Sequence, residues 1–367
     1  MRGVALVALL LLPGAAPAAI YHLEADGSGD FPTIAAALAV ATAGDVVELG
    51  CGTYYEHDLV IPTGVTLRSE GGVASCATID AQQQGRVLQG RPAELSGLTI
   101  RNGCLGTMNG AFGAGAYLGA AVSILNCSFL DNLIDPSPNG KGGGLYQYSG
   151  HAHLVACQFK GNTANHHGSG AHFDRSAELS FCHFEGDDLK IGGSHPAPGS
   201  RLDGCVLLDC NVSLSVPSPK IRNCVLARGR LWLWWDPWSE VEILGTTLVE
   251  EEVLWWGGNL VLSMHGCLLS ASSIQMVLFP VEVENATCND FHDTQITGGI
   301  ADWLGHFGNI SADPLFCDAP GGDYRLHANS PCAPAGNACG ALIGALPVGC
   351  DATGIETKSW SSIKALY

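Results

Sequence analysis

The sequence predicts an all-β solenoid, in which each coil contributes short strands that stack on those of the next. Three observations carry this: a short unit recurring at coil-like spacing, an apolar pattern within it that fits a bent strand, and the lack of heptad-like spacing.

The unit is apolar-x-x-Cys-x-apolar, and eight copies run from LSGLTI at 95–100 to MHGCLL at 264–269. Its central residues are Leu98, Cys127, Cys157, Cys182, Cys205, Cys224, Thr246 and Cys267, with spacings of 29, 30, 25, 23, 19, 22 and 21. Positions −3, 0 and +2 are apolar, Cys or Thr. Offsets 0 and +2 share one face of a strand, whereas −3 and 0 do not, so the strand has to bend between them. Six copies place Gly or Asn at −1, the residues that best tolerate a left-handed bend; Ala156 and Phe181 stand there in the other two. Stacking the coils aligns Phe129, Phe159 and Phe184 in one inward column, continued by Leu207, Leu226, Leu248 and Leu269. The six central cysteines then become small buried hydrophobes rather than disulfide partners.

The elements follow in order. Residues 1–18 read as a signal peptide: Arg2, an apolar run too short to span a bilayer, and a small-residue cleavage site at Ala16-Pro17-Ala18. Residues 19–45 hold a strand and a helix. Pro32 suits a first helical turn, and Ile34, Ala37, Leu38 and Ala41 form one stripe, so a short helix caps the open end of the stack. Val46-Val47-Glu48-Leu49 begins the solenoid, which occupies 46–350, and 351–367 form a tail. No later segment is long and apolar enough to span a membrane as a helix.

The formal charge of −18 argues against nucleic acid and anionic lipid as partners, and against polyanions unless a cation bridges them. Fifteen cysteines in an exported chain make disulfides possible, and no CxxC pair supports a zinc site, so no metal is expected. The non-ladder cysteines gather at the two ends; Cys51 with Cys76, Cys317 with Cys332, and Cys339 with Cys350 are the candidate pairs.

These residues resemble the right-handed parallel β-helix proteins of the pectin-lyase-like superfamily. ADGSGDFPTIAAALAVATAGDVVELGCGTYYE (25–56) is similar to the N-terminus of pectin methylesterases and of many bacterial β-helix proteins. GGGLY (142–146), FLDN (129–132) and FKGN (159–162) resemble the repeats of polymorphic outer-membrane proteins. NISADPLFCDAPGGDYRLHANSPCAPAGN (309–337) looks like the closing coil of secreted β-helix proteins. The resemblance implies a single-stranded right-handed parallel β-helix of roughly ten to twelve coils in a secreted or cell-surface bacterial protein. It implies no activity, because the esterase motifs QDTL and FIFGNA are missing.

Candidate chemistry is sparse. Asp187 and Asp188 are a carboxylate pair of the kind glycoside hydrolysis needs, although an acidic turn in solvent explains them more simply. An outward strip carries Glu178, Arg201, Asp203, Lys220 and Arg222, with Ser180 and Glu242 beside them. The resemblance to β-helix lyases would make its Arg or Lys a base, with Ca²⁺ held by the acids; a ladder of ion pairs is the plainer reading. The histidines around 151–195 read as scattered polar surface.

RLWLWWDPWSE (230–240) and LWW (254–256) place two Trp pairs at one register when counted back from Thr246 and Cys267. On that count Trp232, Trp234 and Trp255 face outward as a sugar-stacking platform, a subunit contact or packing beneath a loop. Leu233, Trp235, Leu254 and Trp256 face the core. The sequence thus favours a non-catalytic protein that binds polysaccharide or a cell-surface glycan, or mediates adhesion, without a cofactor. The alternative is a polysaccharide lyase or polygalacturonase-like hydrolase acting on an acidic polysaccharide.

Overall fold

The computed structural model describes residues 17–106, 111–135, 139–193, 199–234, 240–256, 261–276, 282–297 and 303–350. The segment expected to be a signal peptide, apart from residues 17 and 18, and the tail at 351–367 lie outside them.

The chain winds into a right-handed parallel β-helix of three sheets, named here A, B and C in the order each coil visits them. Among the described residues sheet A has 12 strands, from Ile20–Leu23 to Glu282–Thr287; sheet B has 11, from Gly52–Tyr54 to Asp290–His292; sheet C has 11, from Leu59–Ile61 to Gln295–Ile296. Within each sheet neighbouring strands, one coil apart, pair in parallel, the topology expected of repeated parallel crossovers.

The bend between sheets A and B is where the repeat pattern puts it. All eight residues at −1 have positive φ, including Ala156 at 54° and Phe181 at 55°. A Cβ at Gly204 would lie 2.6 Å from the Phe181 ring, so glycine in one coil makes room for the aromatic ring of the coil before. The +2 column is in register throughout. Phe129 and Phe159 stack at 4.9 Å, and Phe159 and Phe184 at 4.4 Å, close to the usual strand spacing of about 4.8 Å.

A second interior ladder sits at +5, where sheet B turns into sheet C: Asn132, Asn162, Asp187, Cys210, Gly229, Glu251 and Ser272. The residue before each has positive φ. Polar members bond the backbone of the preceding coil; Asn132 Oδ1 accepts from Gly103 N at 2.9 Å, and Glu251 Oε2 from Gly229 N at 3.0 Å. The turn thereby satisfies backbone groups that water cannot reach.

The N-terminal helix spans Ile34–Val40 and buries Ile34, Ala37 and Leu38 over the first coils. Thr33 is its N-cap, so Pro32 stands just before the helix rather than within its first turn. Glu56 accepts from Ile34 N at 2.7 Å and Ala35 N at 2.9 Å, satisfying free helix-terminal donors with a negative charge.

At the other end Phe316–Asp318, Asp323–His327 and Val348–Cys350 form a small sheet. The chain there folds back over the outer face of sheet B, burying Val206, Val225, Val249, Tyr324 and Leu346 together. This return sets the C-terminal disulfides. Cys51–Cys76 forms as expected, but Cys317 pairs with Cys350 and Cys339 with Cys288. Cys332 is no disulfide partner: its buried thiol donates to Asp290 Oδ2 at 2.9 Å.

Cys127, Cys157, Cys182, Cys205, Cys224 and Cys267 are buried and unpaired. Burial pushes the Cys127, Cys182 and Cys224 thiols well above the ordinary range and Cys267 to about 12. At Cys205 burial is outweighed by the neighbouring Cys182 and Cys224 thiols, which pull it down. All six are closed to solvent and so out of reach of a reagent. A maleimide should therefore modify Cys104 in the native protein, the one half-exposed thiol among the nine free cysteines of the described residues. The six ladder cysteines should react only after unfolding. Mass-resolved labelling with and without denaturant checks this, and rapid native labelling of Cys157 or Cys182 would contradict it.

Candidate functional site

The outward strip on sheet A has the register the sequence indicated: Glu178, Arg201, Lys220 and Glu242 lie opposite one another, as do Ser180, Asp203 and Arg222. Its charges neutralise each other. Arg201 pairs with Asp203, Arg222 Nε donates to Glu242 at 2.7 Å, and Lys220 lies 3.8 Å from Glu242. Glu178 stands 4.0 Å from His151. This is the ion-pair ladder.

Asp187 is not an acidic turn in solvent. It is 1% exposed, and its carboxylate accepts from Asn162 N at 2.9 Å and from Asn162 Nδ2 at 2.5 Å. Asp188 points the other way and accepts from Asn211 N at 2.8 Å. The two therefore do not flank a common substrate position.

The Trp registers differ from expectation. Trp232 lies opposite Leu254, Leu233 opposite Trp255, and Trp234 opposite Trp256. Trp255 is thus an inward core residue at 3% exposure, and Leu254 belongs to the outward column. The cause is a connection between sheets C and A that is one residue shorter in the later coil. Trp234 and Trp256 pair 22 residues apart, whereas Glu240 and Val261 pair 21 apart. Counting back from the next coil shifts the face by one. Leu233 does face inward; Trp235 and the Trp256 side chain lie outside the described residues. Trp232 is half-buried and Trp234 is 60% exposed, both on the outer side of sheet C.

That outer side carries a column running Gln89, Tyr117, Tyr146, His172, Lys190, Ser213, Trp232, Leu254. A glycine repeat builds a second layer beside its first part. In Phe112-Gly-Ala-Gly-Ala-Tyr117, Lys141-Gly-Gly-Gly-Leu-Tyr146 and His167-Gly-Ser-Gly-Ala-His172, the first glycines have φ of 61°, 62° and 59°. A Cβ on them would lie 2.2–2.4 Å from the carbonyl oxygens of Ala116, Leu145 and Ala171. Only glycine lets the chain double back so tightly. The return sets Phe112, Lys141 and His167 in register with one another. Phe112 stacks on Tyr146 at 4.8 Å, Tyr117 on Tyr148 at 5.0 Å, and His167 lies 6.3 Å from His172. The Arg86 guanidinium lies 5.1 Å from the Tyr117 ring centre.

The polar groups are joined. Tyr146 donates to Asp174 at 2.6 Å, and His172 Nε2 lies 3.1 Å from the other carboxylate oxygen. Burial raises the Tyr146 hydroxyl, and Asp174 raises it further. Burial lowers His172, outweighing the opposing pull of Asp174. With the Nε2 proton directed at Asp174, His172 Nδ1 is a buried acceptor without a partner among the described residues. Lys190 Nζ lies 2.8 Å from Ser213 Oγ and 2.5 Å from Ser215 Oγ. Burial, assisted by the nearby Lys141 charge, pushes Lys190 down to about 8. A lysine so placed supplies a proton acceptor near neutral pH.

The +5 ladder and this column went unread in the sequence. FLDN and FKGN continue as FEGD at 184–187, which reveals the ladder. The spacing of Tyr117, Tyr146 and His172 from their glycines reveals the column. A separate groove of about 720 Å³ crosses the A–B bend, with Val73, Phe181, Asn223 and Leu346 among its lining residues. It is lined without a single ionisable side chain and offers no acid–base chemistry.

No protein-family model and no curated protein sequence matches the chain. Among solved structures it is similar to pectate lyase Pel9A, at 10% identity and TM-score 0.44, over 92% of this chain and 98% of that one. It is also similar to a pectin methylesterase from carrot, at 12% identity and TM-score 0.34, over 74% and 89%. For pectin methylesterase PemA from Erwinia chrysanthemi the values are 13%, 0.29, 66% and 80%. At such identities no residue role transfers from those enzymes to this chain.

Proposed function

We propose that this is a secreted, carbohydrate-active protein that holds an acidic polysaccharide along the outer face of sheet C and acts on it there. The supporting observation is that aromatic rings, cations and a lysine deprived of part of its charge share one face. Tyr117, Tyr148 and Phe112 at one end, and Trp232 with Trp234 at the other, offer rings for sugars to stack on. Arg86 and Lys141 lie beside the first group of rings, a local positive field on a chain of net charge −18. Tyr117 and Trp232 are five rungs apart, about 24 Å at the usual strand spacing, which spans several sugar units. Adhesion alone gives no reason to bury an amine beside two hydroxyls; proton transfer does.

The test is binding of polygalacturonate and of a neutral galactan, with released products analysed in the same samples. The acidic polymer should bind in preference, and more weakly as salt rises. Lys141→Ala and Trp232→Ala should each weaken it by about tenfold, a loss near 1.4 kcal/mol. Arg222→Ala, in the sheet A ladder, should leave binding unchanged. Equal binding of both polymers, or loss only in Arg222→Ala, would overturn this placement.

A further inference from the structure

We infer that Ser213 and Lys190 form an acyl-transfer pair that removes O-acyl groups from the bound polysaccharide. The inference rests on the polysaccharide reading for its substrate and on local geometry for its chemistry. Ser213 occupies the outward column between Lys190 and Trp232, so its hydroxyl stands within the proposed binding face. Its Oγ is 2.8 Å from an amine whose second contact, Ser215 Oγ, stands just past the end of the same strand. A serine hydroxyl is a weak nucleophile until a base takes its proton, and a half-buried lysine is one of the bases that does so. The amine's hydrogen-bond partners among the described residues are these two hydroxyls, so its charge is not locked in an ion pair.

The ester is an O-acyl group on a sugar hydroxyl rather than an esterified sugar carboxylate. Lys141 and Arg86 favour polymer whose carboxylates are free and negative. In the first step the Ser213 Oγ bonds to the acyl carbon while neutral Lys190 takes the hydroxyl proton. The bond from the acyl carbon to the sugar oxygen then breaks, and that oxygen leaves with the proton from Lys190. Water attacks the acyl-serine and gives a proton to Lys190; the bond to Ser213 Oγ breaks, the proton returns to the serine, and the carboxylic acid departs. No further reactant is required.

Two readouts test this on the full chain. A fluorophosphonate, which is displaced at phosphorus by an activated serine, should label Ser213, as located by peptide mass spectrometry. Acetate release from an acetylated acidic polysaccharide should fall at least roughly a hundredfold in Ser213→Ala and in Lys190→Arg, the scale expected when a nucleophile or its base is lost. Lys190→Arg retains the positive charge and cannot serve as the base, so polymer binding should survive in it. Label on Ser213 without polymer binding would support the pair and overturn the polysaccharide reading. Polymer binding with Ser213 unlabelled, and acetate release equal in Ser213→Ala, would overturn the pair and leave that reading standing. Circular dichroism of each variant separates lost chemistry from lost folding.

Discussion

Replacing Phe159 by alanine is expected to lower stability by about 4 kcal/mol, the usual cost of emptying a fully buried phenylalanine site. Phe159 is completely buried between Phe129 at 4.9 Å and Phe184 at 4.4 Å, with interplanar angles of 3° and 9°. Neither neighbour can close the gap, because each is held at the coil spacing by its own backbone pairing. Phe159→Leu should cost much less, about 1 kcal/mol, because the same column continues with leucine from Leu207 onward. Urea unfolding of both variants by tryptophan fluorescence checks the contrast. In a solenoid each coil supports mainly its neighbours, so the alanine variant should also broaden the transition. Equal losses in the two variants would mean that the aromatic column does not set the packing.

That column was legible in the sequence for a physical reason: positions −3, 0 and +2 must all reach one interior, and few residue types do so. The bend at −1 was equally legible, and Ala156 and Phe181 adopt it despite the cost of left-handed backbone, because their neighbours on both coils are fixed. The site was less legible. Tyr117, Tyr146 and His172 lie 10, 11 and 10 residues before the ladder cysteines that follow them, Cys127, Cys157 and Cys182, so connections of unequal length hide their common face. The same effect moved Trp255 inward. The disulfides at the C-terminal end were hidden for another reason: Cys288, Cys317, Cys339 and Cys350 meet only because the chain returns over sheet B. Sequence distance says little about which thiols such a return brings together.

A large pH effect is expected from Asp187, whose replacement by asparagine should stabilise the protein at pH 8 and have little effect at pH 4. Burial pushes its carboxyl up to about 7, against the pull of the Asn162 hydrogen bonds. A folded-state value above the unfolded value of 3.8 means that the group contributes fully below about pH 4 and loses that contribution as pH rises to about 7. At about 1.4 kcal/mol per unit, the loss is on the order of 4 kcal/mol at neutral pH and above. Glu251, raised to about 8 chiefly by burial, adds a loss of the same sign between about pH 4.5 and 8. Lys190, lowered to about 8, acts in a different window: its unfolded form binds the proton more tightly, so its term favours folding as pH rises from about 8 toward 10.5. An amide at 187 would not ionise, and the ladder already shows how it would bond. Asn132 Nδ2 donates to Ile100 O at 3.1 Å and Asn162 Nδ2 to Phe129 O at 2.8 Å, so the new amide should donate to Phe159 O one coil on. Urea midpoints at pH 4, 6 and 8 measure the effect. The difference between Asp187→Asn and the parent protein should widen with pH and level off above 7, and a difference constant across pH would show that the Asp187 carboxyl ionises at its ordinary value.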